Sequence, residues 1–289
     1  MQVSAPAKIN LSFEIRHRRP DGYHEIETLM CPISLFDDIT ITKNNASAGI
    51  KFSCNDPTLP SDDGNLVVQA ARAYFASVAI EASVEINLRK RIPHGAGLGG
   101  GSSDAATTLL ALNEMHGQRL TRDQLAELGS KIGSDVPFFI FQSVAVCRGR
   151  GERVHPIAFT KKLRFLLFKP NFGVSTSWAY ERWRDSRELR EISYAPQSVD
   201  GIRLVNDLER SVFEKYIFLA HVKMWLLEQP EVDAALLSGS GSTVFAMIRD
   251  NADAPAIAKR ARSQLDCELW TCAVHTLQVG RTVPCSMLK

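Results

Sequence analysis

A glycine-rich segment that runs directly into a helical pattern constrains this chain more than any other feature. Residues 93–106 read PHGAGLGGGSSDAA, with five glycines between positions 95 and 101. Glycine adopts backbone conformations that side chains forbid, so consecutive N–H groups in such a loop can turn toward one anion. The helix that follows adds its unpaired N–H groups and the positive end of its dipole. The segment therefore predicts a phosphate-binding site.

The residues after this loop repeat apolar side chains at helical spacing. Alanine and leucine recur from Ala105 to Leu112, and His116-Gly117 is a suitable stop. We expect Ser102 or Ser103 to cap the helix at its N terminus. A flexible glycine linker is the alternative, but a linker is rarely followed at once by a capped helix.

Two common nucleotide-binding folds fit this loop poorly. Gly95 to Gly100 spells GxGxxG, but a Rossmann loop follows a buried, nearly all-apolar strand. Residues 84–92, VEINLRKRI, instead alternate charged and apolar side chains, which predicts a half-exposed antiparallel strand. A second helical pattern follows downstream where a Rossmann fold needs a strand, and the chain contains no Walker lysine of the GK[ST] kind.

Composition and charge narrow the class of protein. The chain has 289 residues, 45% of them hydrophobic and 23% charged, which is typical of a globular protein of one or two domains. A net charge of +2 gives no electrostatic footprint for nucleic acid, so we expect no nucleic-acid partner. The sequence shows no leader pattern and no apolar run near 18 residues, so we expect neither secretion nor insertion into a membrane.

The cysteines carry information about the compartment. They are scattered, without a CxxC pair or a histidine at zinc spacing. We therefore expect no metal site, reduced thiols and a cytoplasmic protein. The six are Cys31, Cys54, Cys147, Cys267, Cys272 and Cys285.

The first half of the chain mixes strand and helix patterns. Residues 8–15 alternate strictly, with Ile9, Leu11 and Phe13 on one face, and predict a half-buried strand. A tight turn at residues 19–22 leads into a second extended segment, which places Tyr23 and His24 at the rim of a sheet. Further patterns predict helices over residues 65–76 and 121–131, the latter with a capping box, and a short helix opening at residues 134–137.

The pattern changes near residue 157, after a glycine- and arginine-rich loop at residues 148–153. We expect two domains, residues 1–157 and 158–289, with an α+β second half. Its predicted strands cover residues 165–168, 244–248 and 268–277, and its predicted helices cover residues 176–191, 212–227 and 254–264. A second small-residue loop, SGSGST at 238–243, is predicted between a helix and a strand.

Four segments resemble the motifs of the GHMP kinases, the superfamily of galactose, homoserine, mevalonate and phosphomevalonate kinases. They are PAKINL from residue 6, GAGLGGGSSDAA from residue 95, GSDVPFF from residue 133 and LSGSGSTVF from residue 237. The resemblance implies a two-domain α+β GHMP kinase architecture. In it, an N-terminal ATP-binding α/β domain with a mixed sheet precedes a C-terminal ferredoxin-like α+β domain.

Further segments resemble one branch of that superfamily. They are RPDGYHEIET from residue 19, GNLVVQAA from residue 64, GRGER from residue 149 and VNDLE from residue 205. This resemblance implies ATP-dependent phosphorylation of the 2-hydroxyl of a cytidine diphosphate-linked methylerythritol, in non-mevalonate isoprenoid biosynthesis, with ATP bound as its Mg²⁺ complex. Another GHMP kinase, of homoserine or mevalonate type, and a non-catalytic nucleotide-binding module stay as alternatives. A weak homodimer is left open.

The resemblance also assigns residues. Asp135 is the candidate base, and Lys8 would stabilise the transferring group or the developing alkoxide. Tyr23 would stack on cytosine, His24 would bond to its edge, and Tyr180 or Trp178 would complete the stack. Asn10 and Asp135 would contact the polar end of the substrate, and the role of His94 is left open. The expected ATP-binding residues are Asn65, Leu66, Pro93, Gly95, Ala96, Gly97, Leu98, Gly99, Gly100, Gly101, Ser102 and Ser103.

Overall fold

The computed structural model describes residues 1–44 and 48–277. The described helices are α1 (Leu66–Val78), α2 (Gly100–Met115), α3 (Arg122–Ser130), α4 (Val136–Phe141), α5 (Thr176–Trp183), α6 (Glu209–Lys215), α7 (Ile217–Leu227) and α8 (Ala254–Gln264). Among these, no helix combines the length and the apolar character that crossing a membrane requires.

Twelve strands are described in the same ranges. They are β1 (Gln2–Arg18), β2 (His24–Lys43), β3 (Gly49–Cys54), β4 (Ser83–Arg89), β5 (Ala145–Gly149), β6 (Arg153–Pro156), β7 (Arg164–Lys169), β8 (Gln197–Val199), β9 (Ile202–Asn206), β10 (Val232–Leu237), β11 (Val244–Ile248) and β12 (Trp270–His275).

The larger sheet is mixed and contains eight strands. Its main path runs β3-β4-β2-β1-β9-β8, with β5 paired to β2 and β6 paired to β5. The β4 strand is antiparallel to β2, as predicted, and parallel to β3, and its side chains alternate between buried and exposed. Apolar side chains of α1, α2 and α4 pack with those of this sheet into one core. Since β9 pairs with β1, the sheet crosses the predicted boundary at residue 157, which stays a prediction.

The smaller sheet contains four antiparallel strands in the order β10-β11-β7-β12. With α7 and α8, its strands follow the order β7-α7-β10-β11-α8-β12, which is the ferredoxin-like arrangement that the resemblance implies; α5, β8, β9 and α6 are inserted after β7. Its core joins α6, α7 and α8 to the inner faces of β7, β10 and β11. The α+β fold class is confirmed, while residues 278–289 of the predicted second domain, Cys285 among them, lie outside the described residues.

The expected caps were only partly right. Thr121 and Gln124 form the predicted capping box at the start of α3. The predicted serine cap of α2 is wrong, because Gly99 takes the N-cap position in a left-handed conformation with φ of 71°. The helix therefore begins before Ser102 and Ser103, which lie inside its first turns.

Three predicted elements differ in their bounds or neighbours. The helix predicted over residues 176–191 ends at Trp183, whose carbonyl accepts hydrogen bonds from Ser186 and Arg210 instead of from the next turn. The helix predicted over residues 212–227 divides at Tyr216, whose ring stacks on Phe172 with centroids 5.4 Å apart. The second small-residue loop lies between two strands, β10 and β11, and follows no helix.

Candidate active site

The two glycine loops are in direct contact. At Gly97, with φ of 75°, an added Cβ would lie 2.1 Å from the carbonyl oxygen of Ser238, so only glycine fits there. The Ser238 hydroxyl donates to the Gly97 carbonyl at 3.0 Å, and the Thr243 N–H donates to the Ala96 carbonyl at 3.1 Å. Residues 95–101 and 238–243 thus form one surface, although they come from opposite halves of the chain.

Lys8 reaches this surface from the middle of β1. Its N–H donates to the Leu98 carbonyl at 2.9 Å, and its ammonium donates to Asn10 Oδ1 at 2.7 Å. Only 4% of Lys8 and none of Asn10 is exposed. The strand predicted over residues 8–15 is therefore confirmed, but it is not half-buried at these two positions, where its polar face is buried as well. Asn10 in turn donates to the hydroxyl of Thr28 at 2.8 Å.

Asp135 lies opposite Lys8 at the N-cap of α4. Its Oδ2 is 3.5 Å from Lys8 Nζ, and 31% of its side chain is exposed. The carboxylate makes no capping hydrogen bond to α4, so its oxygens face the open side of the site. An added Cβ at Gly151 would come within 3.6 Å of Asp135 Oδ1, which shows that the β5–β6 turn passes close to this carboxylate.

A first cavity extends along the glycine loop of residues 95–101. Every predicted ATP-binding residue lines it except Ser103, which is fully buried. At one end Asn65 caps α1 through Val67 N–H at 3.0 Å and donates to the Pro60 carbonyl at 2.9 Å. These bonds fix that end of the cavity before any ligand enters.

Lys90 and Asp104 line the first cavity, and a second carboxylate, Asp37, lies behind them. The Lys90 ammonium contacts Asp104 at 2.7 Å and also Asp37. Burial works against the charge of Lys90, but the two carboxylates outweigh it and raise its pKa. Burial, together with the nearby charge of Asp37, raises the pKa of Asp104 well above its usual range. These two ion pairs therefore hold the Lys90 ammonium in the wall of the cavity.

A second cavity opens on the other side of Asp135 and carries the predicted aromatic residues. Tyr23, of which 55% is exposed, lies there beneath the guanidinium of Arg150, 4.8 Å from the ring centroid. The imidazole of His24 stacks on Tyr180 at 5.3 Å with 22° between the rings. Trp178, the alternative to Tyr180, instead makes an edge contact with Tyr216.

Burial shifts the pKa of both members of this stack. It lowers the pKa of His24, and the charge of Arg18 lowers it further. Burial raises the pKa of Tyr180, and the nearby Asp135 adds to that effect. The imidazole is therefore neutral at pH 7, and the phenol is a hydrogen-bond donor.

The two cavities meet at Asp135. Four residues line both of them, namely Asp135, Arg150, Thr176 and Tyr180. Sequence reasoning missed Thr28, Arg150, Thr176 and Gly239 as site residues. GRGER was a usable signal for Arg150, and the second glycine loop was one for Gly239, whereas Thr28 and Thr176 carry no local signal. His94 lines the first cavity at its entrance.

The sequence and the fold resemble those of known proteins. The sequence model of the GHMP kinases N terminal domain matches residues 65–143, and that of the GHMP kinases C terminal matches residues 184–267. The structure resembles a homoserine kinase from Cytophaga hutchinsonii, with a TM-score of 0.69 over 96% of this chain and 94% of that one. At 18% identity, this likeness shows the fold alone.

Similarity at higher identity points to one branch. A 4-diphosphocytidyl-2-C-methyl-D-erythritol kinase from Methylacidiphilum infernorum is 45% identical over 245 residues, 84% of either chain. The kinase of the same name from Geobacter sp. strain M21 is 39% identical, over 86% of this chain and 90% of its own length. A crystal structure of 4-(cytidine 5'-diphospho)-2C-methyl-D-erythritol kinase has a TM-score of 0.78 at 33% identity, covering 96% of this chain and all of that one.

The fold and its two matched family domains define a small-molecule kinase of the GHMP type. Within that class, the chain belongs to the family of the 4-diphosphocytidyl-2-C-methyl-D-erythritol kinases.

Proposed function

We propose that this protein transfers the γ-phosphoryl group of ATP to the 2-hydroxyl of 4-diphosphocytidyl-2-C-methyl-D-erythritol, a step of non-mevalonate isoprenoid biosynthesis. The observation that carries the proposal is the position of Asp135. It lies at the junction of a glycine-lined cavity and an aromatic cavity, 3.5 Å from Lys8. Donor and acceptor that enter from opposite sides meet at this pair.

The proposed reaction forms one bond and breaks one. The acceptor oxygen bonds to the γ-phosphorus, and the bond from that phosphorus to the β,γ-bridging oxygen breaks, which releases ADP. The hydroxyl proton passes to the carboxylate of Asp135. Because phosphoryl transfer goes through a loose transition state, Asp135 mainly orients the hydroxyl and accepts its proton late. Lys8 stabilises the negative charge on the transferring oxygens.

ATP fits the first cavity in one orientation. The N-terminal end of α2 and the loop before it suit the triphosphate, because residues 95–102 line the cavity and the first turn of a helix leaves backbone N–H groups without partners inside the helix. The base then lies toward Asn65 and Leu66, at the other end of the same cavity. This orientation directs the γ-phosphate toward Lys8.

Magnesium fits this arrangement as a companion of ATP. Within residues 1–44 and 48–277, no group of three His, Cys, Asp or Glu side chains is placed to hold a metal ion. Mg²⁺ needs fewer protein ligands when phosphates and water supply the rest. The Ser102 hydroxyl and the Asp135 carboxylate, which line the same cavity, are oxygen donors of the hard type that it prefers. When bound, Mg²⁺ would neutralise phosphate charge.

The second cavity suits a cytidine diphosphate. Tyr23, His24 and Tyr180 offer ring faces and polar edges, and stacking contributes about 1–3 kcal/mol per base in single-strand binders. The guanidinium of Arg150, at the junction of the cavities, is placed for the diphosphate between cytidine and the acceptor end.

The cytoplasmic location expected from the sequence belongs to the same proposal, and free thiols at five cysteines support it.

The test is an assay of ADP release and product formation with the cytidine diphosphate-linked methylerythritol as acceptor. We expect turnover that depends on this acceptor and is inhibited competitively by CDP. Homoserine and mevalonate are the matched control acceptors, because kinases of either type need no cytidine site. Turnover of a control acceptor without inhibition by CDP would overturn the proposed substrate, and binding of ATP with no turnover of any of the three would favour a non-catalytic module.

A further inference from the structure

The VNDLE segment at the end of β9 carries polar side chains that the proposed chemistry does not use. Its Asn206 is 96% buried, with only 4% of the residue exposed. We infer that Asn206 is a positioning residue for phosphoryl transfer, which holds the second glycine loop against Lys8 and Asn10. This inference rests on the proposed function, because its readout is the transfer reaction.

Both N–H donors and the carbonyl oxygen of the Asn206 carboxamide bond to the backbone around it. Its Nδ2 donates to the carbonyls of Leu237, at 2.8 Å, and Gly239, at 2.7 Å. Its Oδ1 accepts from the N–H of Leu208 at 2.9 Å, at the start of α6. The amide orientation follows from this network, because the reversed amide would place its oxygen against two carbonyls.

Gly239 connects this clamp to the catalytic residues. An added Cβ at Gly239, where φ is 55°, would lie 3.4 Å from Lys8 Nζ and 3.3 Å from Asn10 Oδ1. The backbone at this position is therefore one wall of the space that the Lys8 ammonium occupies. A shift of the Gly239 carbonyl by about 1 Å would move Lys8 or loosen it, and errors of that size in a reacting group cost about 10²-fold in rate.

The other end of this stretch is fixed without Asn206. The Leu237 N–H donates to Glu209 Oε1 at 2.9 Å, and Glu209 is bound to Lys223 at 2.6 Å. The Ser238 N–H donates to the Thr243 carbonyl at 2.9 Å. The loss of Asn206 therefore leaves β10 in place and frees chiefly the Gly239 carbonyl, and with it the Gly239 backbone, whose Cα faces Lys8 and Asn10.

Two substitutions and one control test the inference. Asn206→Asp keeps the shape of the side chain but turns both donated bonds into contacts between oxygens, while Asn206→Ser leaves room for a water to reach both carbonyls. The matched control is Asn113→Asp. Asn113 is also buried and bonds to the Leu120 backbone at 2.9 and 3.0 Å, between α2 and α3.

The expected results separate positioning from folding. All three variants are expected to lose thermal stability, but only the Asn206 variants should lower kcat, by about 10- to 100-fold, with KM for ATP changed less than about threefold. The Asn113 variant should keep kcat within about twofold. If Asn206→Asp does not fold, Asn206→Ser carries the test. A folded Asn206→Ser protein with the kcat of the parent would overturn the inference.

A double substitution tests whether Asn206 acts through Lys8. In a Lys8→Ala background, where the positioned group is missing, Asn206→Ser should lower kcat by less than about threefold. An equal factor in both backgrounds would contradict the inference. The failure of the proposed function looks different, because the unsubstituted protein would then not phosphorylate the cytidine diphosphate-linked acceptor at all.

Discussion

Two lysine–carboxylate pairs in this protein have the same chemistry and opposite surroundings. Lys223 and Glu209 are 2.6 Å apart, with 1% and 2% of their side chains exposed. Lys8 and Asp135 are 3.5 Å apart, and 31% of the Asp135 side chain is exposed. Both lysines are buried, so burial of the lysine does not distinguish the two sites. The two sites differ in the exposure of the carboxylate.

The Lys223–Glu209 pair is saturated by the protein itself. Lys223 also donates to the Ser193 carbonyl at 2.6 Å, and Glu209 also accepts from Leu237 N–H at 2.9 Å. Asp135, by contrast, leaves its helix uncapped and faces two cavities. A closed pair holds the fold together, whereas an open one is available to a substrate hydroxyl.

The largest expected effect is on turnover, at the open pair. Asp135→Asn keeps the shape of the side chain but removes the proton acceptor. We expect kcat to fall by about 10²–10⁴-fold, or about 2.7–5.4 kcal/mol of barrier, with little change in ATP affinity. Steady-state kinetics and ATP titration measure both quantities. Unaltered turnover would contradict the role of Asp135 and the contrast between the pairs.

At the closed pair the expected loss is in stability. Lys223→Met leaves the Glu209 carboxyl buried without its cation, so the free energy of unfolding should fall by about 3–5 kcal/mol, measured by urea titration. Adding Glu209→Gln removes the unpaired carboxyl and keeps an acceptor for Leu237 N–H, so the double variant should regain about 1–3 kcal/mol. If the double variant proved less stable than Lys223→Met, the saturated pair would not be the structural element described above.

A smaller effect concerns pH and the aromatic cavity. The pKa of His24 is lowered from its ordinary value of 6.5, so the imidazole is neutral at pH 7 and offers an acceptor to the cytosine amino group. Cytidine affinity should be constant above pH 6.5 and fall by up to about tenfold per unit once pH drops below the lowered pKa. Calorimetry measures it, and His24→Phe, which keeps an aromatic ring, should make the profile flat. A flat profile in the unsubstituted protein would exclude this role.

The smallest effect is expected at a third pair, on the surface. Glu127 lies on α3, and Lys131 is the C-cap of that helix. Their charged atoms are 3.5 Å apart, and 74% of the Glu127 side chain and 69% of the Lys131 side chain are exposed. Because water screens such pairs, Lys131→Gln should change the free energy of unfolding by less than about 0.5 kcal/mol and leave kcat unchanged. A loss above about 1 kcal/mol in urea titration would show that exposure is a poor guide to what these pairs contribute.

Features set by neighbouring residues could be predicted from the sequence. The glycine loop, the strand before it and the capping box at Thr121 all depend on side chains a few positions apart. The burial of Lys8 and Asn10 could not be predicted, because a loop some 230 positions away covers that face of β1. The same holds for the helix end at Trp183, where a distant arginine takes the carbonyl.

The candidate site divides in the same way. Lys8 and Asp135 were assigned through their motifs, and their approach to 3.5 Å is a result of tertiary structure. Arg150 and Gly239 lie in motifs that were noticed, yet no local rule gives the distance from either to the reacting groups. Only the packing of the two halves of the chain brings them to the cleft.

A crystal structure with a non-hydrolysable ATP analogue and the cytidine diphosphate-linked acceptor tests the arrangement of the cleft most directly. The γ-phosphorus should lie beside Lys8 Nζ, with the acceptor 2-hydroxyl about 3–3.5 Å from it and within hydrogen-bonding distance of Asp135. A γ-phosphate bound elsewhere, or an acceptor hydroxyl directed away from Asp135, would contradict the assignment of this pair as the centre of phosphoryl transfer.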